Sequence, residues 1–560
     1  MMRNIRFVNL TFIIIIAFPL VISAIGIDVP ATDPVYDFLK RLETRGIIKG
    51  FNDLTLPLTR DEIVNFLQIA SQKADELSAI EKKILHEFLA DYRYETERQL
   101  TKPDSISAPF YQKNYFRQAT ANLFSRQDAV EENHLLMYES GETFFWFDVG
   151  ARGRMDWKDN HEKQMFSDRY LLRGALSKSL TFHTYFARFM KNGDPAFTEP
   201  YEEEIGNFSM VQPGGTVTFD ILQTSLVFHQ KYFNIGLYRQ PVAWGASGTN
   251  NLILSKSAPL FSYIGFDTKF KGIKLSMIHG SLLNDSTHYR DIAFQQRNRS
   301  KYIAAHRLDI PFFRGTTTVG FSEMVIYGDR EIDIAYMTPF GFYWPIGHAL
   351  EDRDNTLMAV DFKTTFIKNI TFYGSVLIDE MRFSELGKQW WANKHAWQAG
   401  MRWSPNIATL PFDFQAEFTA VRPWTYSHKT LTTNYTHNSI CLGFPYGANS
   451  QTWYFKIGTA LSRRLTLTSE YLILKKGVDD STHFWGGDAT VSYELRDEQY
   501  DHATKWLMGD IETTNQLKVA GRYEIFNDFF IKAGINLYNT KLNNDQESYR
   551  FGFIETEINF

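Results

Sequence analysis

From about residue 140 to the end, apolar and polar positions alternate along the chain with a period of two. In "FFWFDVGARGRMDW" (144–157), Phe145, Phe147, Val149, Ala151, Met155 and Trp157 share one face, and Asp148, Arg152, Arg154 and Asp156 share the other. Successive side chains of a strand point to opposite faces, so this run predicts a strand with one apolar and one charged side. Its length and its terminal aromatics suit a strand that crosses a bilayer. "WYFKIGTAL" (453–461) and "LTLTSEYLIL" (465–474) repeat the pattern, as do Phe529, Ile531, Ala533, Ile535 and Leu537. A short polar turn recurs between such strands: "LSKSLTF" (176–182), "FKGIKLS" (270–276), "FIKNITF" (366–372), "LSRRLTL" (461–467) and "FNDFFIK" (526–532). Longer connections rich in Gly, Pro, Asn, Asp and aromatics fall at 191–216, 241–260, 282–300, 423–450 and 496–515. Short turns alternating with long loops predict an all-β transmembrane barrel of roughly 18 to 20 antiparallel strands, an even number. A soluble propeller or β-helix would carry a constant repeat, and the chain shows none. The final "YRFGFIETEINF" keeps Ile554, Thr556, Ile558 and Phe560 in phase, and bacterial outer-membrane barrels commonly end on Phe. One position resists: Glu323 falls in phase with Val319, Phe321 and Val325, which predicts a bulge there or a place beyond the bilayer edge.

Residues 30–102 follow a helical period instead. Asp33 and Pro34 open a helix that buries Val35, Phe38, Leu39 and Leu42, and Gly46 ends it. Capping boxes at Thr59–Glu62 and Ser78–Glu81 open two more. Three such helices bury little surface alone and must pack on something. Residues 28–63 also resemble an S-layer homology module, in their Asp-rich entry, Gly46-Ile47-Ile48 and Thr59-Arg60-Asp61-Glu62. That likeness implies a cell-wall polymer as a partner of the head, while the plainer reading is a plug or packing domain.

The N-terminus places Arg3 and Arg6 ahead of an apolar run over 10–22 and small residues at Ser23, Ala24 and Gly26, which reads as a secretory signal peptide. The chain thus divides into a signal peptide (1–26), an α-helical plug or periplasmic head (27–102), a connector (103–139) and the barrel (140–560). Aromatics make up 16% of it at a mean hydropathy of −0.30, which suits wide apolar–polar boundaries against membrane lipid. Net charge is −5 with both signs interspersed, so nothing suggests nucleic acid. A single cysteine excludes an internal disulfide.

"YRQPVAWGASGTNNLILSKSAPLF" (238–261), "GFSEMVIYG" with "AYMTPFGF", and "YTHNSICLGFPYGANSQTWY" (435–454) resemble the Wzi-type capsule assembly family of outer-membrane proteins. The specific pieces are Arg239-Gln240, Trp244-Gly245, Tyr435-Thr436-His437, Leu442-Gly443 and Gly447. The resemblance covers about 140–560. It implies a closed 18-stranded barrel plugged by helices, acting without catalysis as a surface lectin for capsular polysaccharide. The chain departs from the family in its S-layer-like head and in Asn449-Ser450-Gln451, where an acid often stands nearby.

The stretch "WTYSHKTLTTNYTHNSICLGFPYG" (424–447) concentrates unusual chemistry. His428, His437 and Cys441 are spaced nine and four apart, which matches no structural zinc pattern. No nucleophile-elbow sequence is present, so neither a catalytic site nor a cofactor is expected. The acidic run 199–204 reads as a solvated loop before it reads as a cation site. Sugars ask for aromatic faces beside hydroxyl-binding side chains. Arg239, Gln240, Trp244, Asn250, Asn251, Trp424, Tyr426, His428, Tyr435, His437 and Asn449 supply both, with Arg422 and Lys429 available to an anionic polymer. Two readings result: a non-enzymatic protein that binds exported capsular or other extracellular polysaccharide, and a porin-like channel in which the same aromatics form a sugar slide.

Overall fold

The computed structural model describes residues 26–100, 107–108, 124–127, 132–140, 142–194, 209–211, 216–247, 250–284 and 299–559. Residues 1–25 of the expected signal peptide, most of the connector, the acidic run 199–204 and Phe560 lie outside the described residues. Eighteen antiparallel strands form a closed barrel, sealed where Gly150–Trp157 pairs with Gly552–Asn559. The five recurrent turns of the sequence all fall at one end. The other end carries the long connections 240–261, 422–449 and 479–509. It also carries 329–354 and 381–393, which their composition did not single out, and the two-residue turns 159–160 and 543–544.

Polarity is inverted relative to a water-soluble sheet. Leu226, Phe228, Leu237, Phe321, Val360, Trp453, Ile535 and Ile554 are exposed on the outer face. Asp309, Asp361, Lys363 and Glu417 are buried inside. Apolar side chains gain nothing from an aqueous surround, so this outer face belongs in hydrocarbon. Among the described residues no helix is long and apolar enough to cross a membrane; the strands do the crossing.

The head holds four helices, α1 (Pro34–Thr44), α2 (Arg60–Gln72), α3 (Ala79–Asp91) and α4 (Arg93–Leu100). Asp33 caps α1 by accepting from Val35 N–H at 2.9 Å. A left-handed Gly46 ends it, with Gly46 N–H donating to Glu43 and Ile47 N–H to Leu42. Both expected capping boxes form. Val35, Leu39 and Leu42 are buried against Ile63, Val64 and Leu67 of α2.

This bundle sits inside the barrel as a plug. Lys363 on the inner wall donates to Glu43 at 2.6 Å and Asp53 at 2.5 Å. Arg307 grips Asp361 through two 2.7 Å bonds and Thr55 of the head through a third. Arg41 reaches the turn at the short-loop end, donating to Asn406 at 2.5 Å. From the opposite end the loop 240–261 plunges inward, and its Ala243 and Trp244 pair as a two-residue strand with Leu56 and Thr55. The lumen is therefore occupied from both sides.

Glu323 does not sit at a bulge. Its register with the strand Lys301–Phe312 runs without a bulge, and it does point away from the lumen. A short outer helix, α5 (Tyr343–Ala349), covers it. Tyr343 and Trp344 donate their N–H groups to the carboxylate at 2.7 and 2.6 Å, and His306 Nε2 lies 3.1 Å away.

Candidate functional site

The stretch 424–447 folds inward over the plunging loop. Trp424 and Tyr426 take positive φ, 67° and 76°, a costly conformation for large side chains. It is held because Trp424 N–H donates to Gly486 C=O and Tyr426 N–H to Asp379 at 2.6 Å. The hydroxyls of Tyr426 and Tyr435 then reach the carbonyls of Leu252 (2.8 Å) and Ile253 (2.9 Å). His437 Nδ1 accepts from Leu283 N–H at 2.9 Å, which leaves Nε2 to donate to the Leu260 carbonyl at 3.1 Å. Burial pushes its pKa down to about 4. His428 is likewise driven well below the usual imidazole range, by burial first and then by Lys394 and Lys429, and it hydrogen-bonds Thr433 at 2.6 Å. Asn449 donates to Gly477 and Met508 carbonyls and accepts from Met508 N–H.

Trp244, Asn250 and Asn251 are buried in the plunging loop, where the Asn250 carbonyl accepts from Gln398 at 2.8 Å. Gln240 donates to Asp28 of the head at 2.8 Å, and burial raises that carboxyl to about 7. Ten of the eleven candidates thus face inward, and Arg239 alone stays half-buried, lining the lumen. The side chains of Gln240, Tyr426, His428, Tyr435, His437 and Asn449 are bonded within the protein, and these residues build the floor of the mouth. Among the described residues no group of three or more His, Cys, Asp or Glu could hold a metal. The S-layer-like Thr59–Glu62 run also lies inside, with Arg60 buried against Glu95.

Above this floor the outer loops present a different set. In 479–509, Asp480 Oδ1 accepts from Thr482 N–H, Thr482 hydroxyl and His483 N–H, and its Oδ2 accepts from Trp485 Nε1 at 3.0 Å. Those bonds, the Thr482 hydroxyl foremost, hold the carboxyl far below its usual range and fix it as an anion. His483 stacks on Trp485 at 5.0 Å, and Tyr500 meets the other edge of Trp485 at 5.0 Å. Asp497 stands 3.5 Å from His483 Nε2, and Phe484 is exposed beside them. Trp390 of the loop 381–393 continues the surface beneath the guanidinium group of Arg382 (4.4 Å), and its neighbour Trp391 is buried under that of Arg496 (3.8 Å). Trp391 N–H to Asp501 C=O and Thr504 N–H to Gln389 C=O lock the two loops together.

Flat aromatic faces flanked by fixed carboxylates and guanidinium groups suit a ligand with C–H faces and hydroxyl edges. The sequence signals were there, in the Trp390–Trp391 pair and in "DDSTHFWGGD" (479–488). Both read equally well as a membrane aromatic belt. Beneath, between the plug and the inner wall, remains a cavity of about 1000 Å³ lined by Arg169, Arg173, Arg239, Lys456, Glu470 and Asp37.

An apolar-skinned barrel with a polar, plugged lumen and an aromatic outer mouth is a bacterial outer-membrane β-barrel closed by its own N-terminal helices. More particularly, the chain belongs to the capsule assembly protein Wzi family, which it matches over residues 201–549. It is similar to the solved structure of Wzi, an outer membrane protein involved in group 1 capsule assembly in Escherichia coli and described as a carbohydrate-binding β-barrel. There the identity is 12%, with 94% of this chain and 98% of that one covered and a TM-score of 0.57. Two Pseudomonas aeruginosa barrels, OprD and OccK2, match over 74% of this chain and 94% and 97% of theirs, each at 10% identity and with TM-scores of 0.42 and 0.41. None of the curated proteins matches.

Proposed function

We propose that this protein binds exported capsular or related surface polysaccharide at its outer mouth and holds it at the cell surface, with no reaction catalysed. The observation that carries this reading is the platform of His483, Trp485 and Tyr500 with Asp480 and Asp497 in the outer loop 479–509. Family membership supports it, as does the carbohydrate binding described for the Escherichia coli protein. The ion-paired plug favours a receptor over a channel for sugars. The candidates of 424–449 enter as the support that sets the height and angle of the platform loops: Ser427 donates to Val491 C=O, and Ser492 to Lys429 C=O.

The test is calorimetric titration of the protein in lipid nanodiscs with surface polysaccharide purified from the cells that make it. Saturable binding that weakens in Trp485→Ala and Tyr500→Ala supports the reading. Binding untouched by both places the site elsewhere, and steady ion conductance by the intact protein would favour the channel.

A further inference from the structure

The connection 329–354 has the polarity of an outer loop turned inside out. It does not rise into solvent but folds down along the outer face of the barrel wall. Tyr336 and Tyr343 pack there on Ala304, Val325 and Tyr327, side chains that point away from the lumen. Their strand neighbours Ile303, Ala305, Met324 and Ile326 point the other way, into the luminal core.

Several polar groups of this segment are turned toward the wall, while Glu331, His348, Glu351, Asp352 and Arg353 stay exposed. Glu323 takes the first N–H groups of α5. The Tyr336 hydroxyl donates to Asp354 at 2.8 Å, Arg330 forms two 2.7 Å bonds to the same carboxylate, and Asp333 N–H reaches the Tyr327 hydroxyl. The apolar groups are turned outward: Ile334, Phe340 and Phe342 are 78%, 78% and 75% exposed, and Ile332 and Trp344 about half exposed. So many large apolar side chains on one short outer segment make little sense against water.

What they border decides the occupant. On the same outer face, toward the barrel's middle, Phe321, Met358, Val360 and Phe362 are exposed and belong to the lipid-facing belt. Phe321 lies two residues along the strand from Glu323, roughly 7 Å at the rise of an antiparallel strand. The exposed side chains Ile334, Phe340, Phe342 and Trp344 therefore border the lipid-facing surface, with the exposed His348 of α5 packed on Trp344 at 4.1 Å. Aromatic side chains with a polar tip, such as Trp344, settle at the boundary between acyl chains and headgroups.

We infer that 329–354 is an outer-leaflet anchor, in which Ile334, Phe340, Phe342 and Trp344 insert among the acyl chains of the outer leaflet beside the barrel. This goes beyond polysaccharide binding and does not depend on it. The anchor is tied to the floor of the mouth, because Lys429 donates to the Asp352 carbonyl at 3.0 Å. Its depth in the leaflet thereby sets the height at which the outer loops stand above the membrane.

The chain's only cysteine, Cys441, makes the test clean. In a Cys441→Ser background, Phe340→Cys and, separately, Phe342→Cys carry a nitroxide, with the full-length protein in phosphatidylethanolamine–phosphatidylglycerol vesicles. Collision with oxygen is compared with collision with a water-soluble nickel chelate. Val360→Cys serves as the lipid reference and Asn544→Cys, in an exposed turn at the outer end of the barrel, as the water reference. Both loop labels should match Val360, with oxygen access several-fold above nickel access. Nickel access equal to that at Asn544 overturns the anchor, and so does dipolar broadening between Phe340 labels, which would place a second copy on this face. As a readout free of cysteine changes, the fluorescence lost in Trp344→Phe should be quenched by lipids brominated on their acyl chains. Absence of that quenching also overturns the anchor.

Discussion

Tyr426 and Tyr435 lie ring against ring, 5.7 Å apart and 20° from parallel, and donate to two successive carbonyls, those of Leu252 and Ile253. Both rings are fully buried. Two Tyr-x-His pairs nine residues apart thus prove to be a clamp, in which the outer stretch 424–447 holds down the loop that plugs the barrel from outside.

Either Tyr→Phe change leaves a buried carbonyl without its donor, and each should cost about 1–3 kcal/mol. Because the rings touch, the double variant should not be additive. Thermal unfolding in detergent measures both, and unchanged midpoints would show that water replaces the hydroxyls.

Lys363→Met should be more damaging. It takes the shared cation from Glu43 and leaves Asp53 to Lys40 and Arg402 at 3.9 and 3.8 Å, and breaking a buried ion pair from one side costs about 3–5 kcal/mol. Limited proteolysis should cut the head at 26–100 far faster than in the native protein. An equal rate would mean that the other contacts hold the plug unaided.

The same plug predicts electrical silence. In planar bilayers the intact protein should pass little current, and deletion of residues 27–102 should raise it, since that deletion removes every head contact to Lys363, Arg307 and the turn at Asn406 while the loop 240–261 still narrows the outer half.

Acid should loosen the mouth through His437. The folded imidazole stays neutral down to about pH 4, whereas an unfolded one protonates near 6.5. Between those values the unfolded segment binds the extra proton, so the stability of this loop is full above 6.5 and falls as the pH drops toward 4. Hydrogen-exchange protection across 424–447, corrected for the intrinsic exchange rate at each pH, should fall from pH 7 to pH 4.5. His437→Leu should flatten that dependence, at the expense of the bonds to Leu283 and Leu260.

Polysaccharide affinity should fall about tenfold with Trp485→Ala, near 1.4 kcal/mol. Tyr500→Ala should do the same, because the stack needs its edge contact. Trp244→Phe, far below the surface, should leave affinity unchanged while lowering thermal stability; a loss of affinity there would return the site to the floor.

Much of the architecture is written along the chain, because alternation and capping are local. Asp148 and Asp156 are buried inside while Met155 and Trp157 face out, as their phase requires, and Thr59 and Ser78 cap α2 and α3 from three residues away. Periodicity reports only which side a residue faces, not what lies on that side. Glu323 therefore read as a lipid-facing misfit, and only the fold brings Tyr343 and Trp344 over it.

The aromatic and polar richness of 238–261 and 424–449 was also plain in the sequence, but composition cannot separate a gripping surface from a clamp. Tyr435 finds Ile253 across 182 residues, and Trp391 finds Asp501 far along the chain. The sequence by itself determined the barrel, the helical head and the membrane-facing skin, since each follows from neighbours within a few residues. Tertiary structure alone decided that the head is a plug, that most of the expected binding residues are internal struts, and that the platform of Trp485 stands at the mouth. Those outcomes depend on which distant segments share the lumen and its rim, and no local period encodes that.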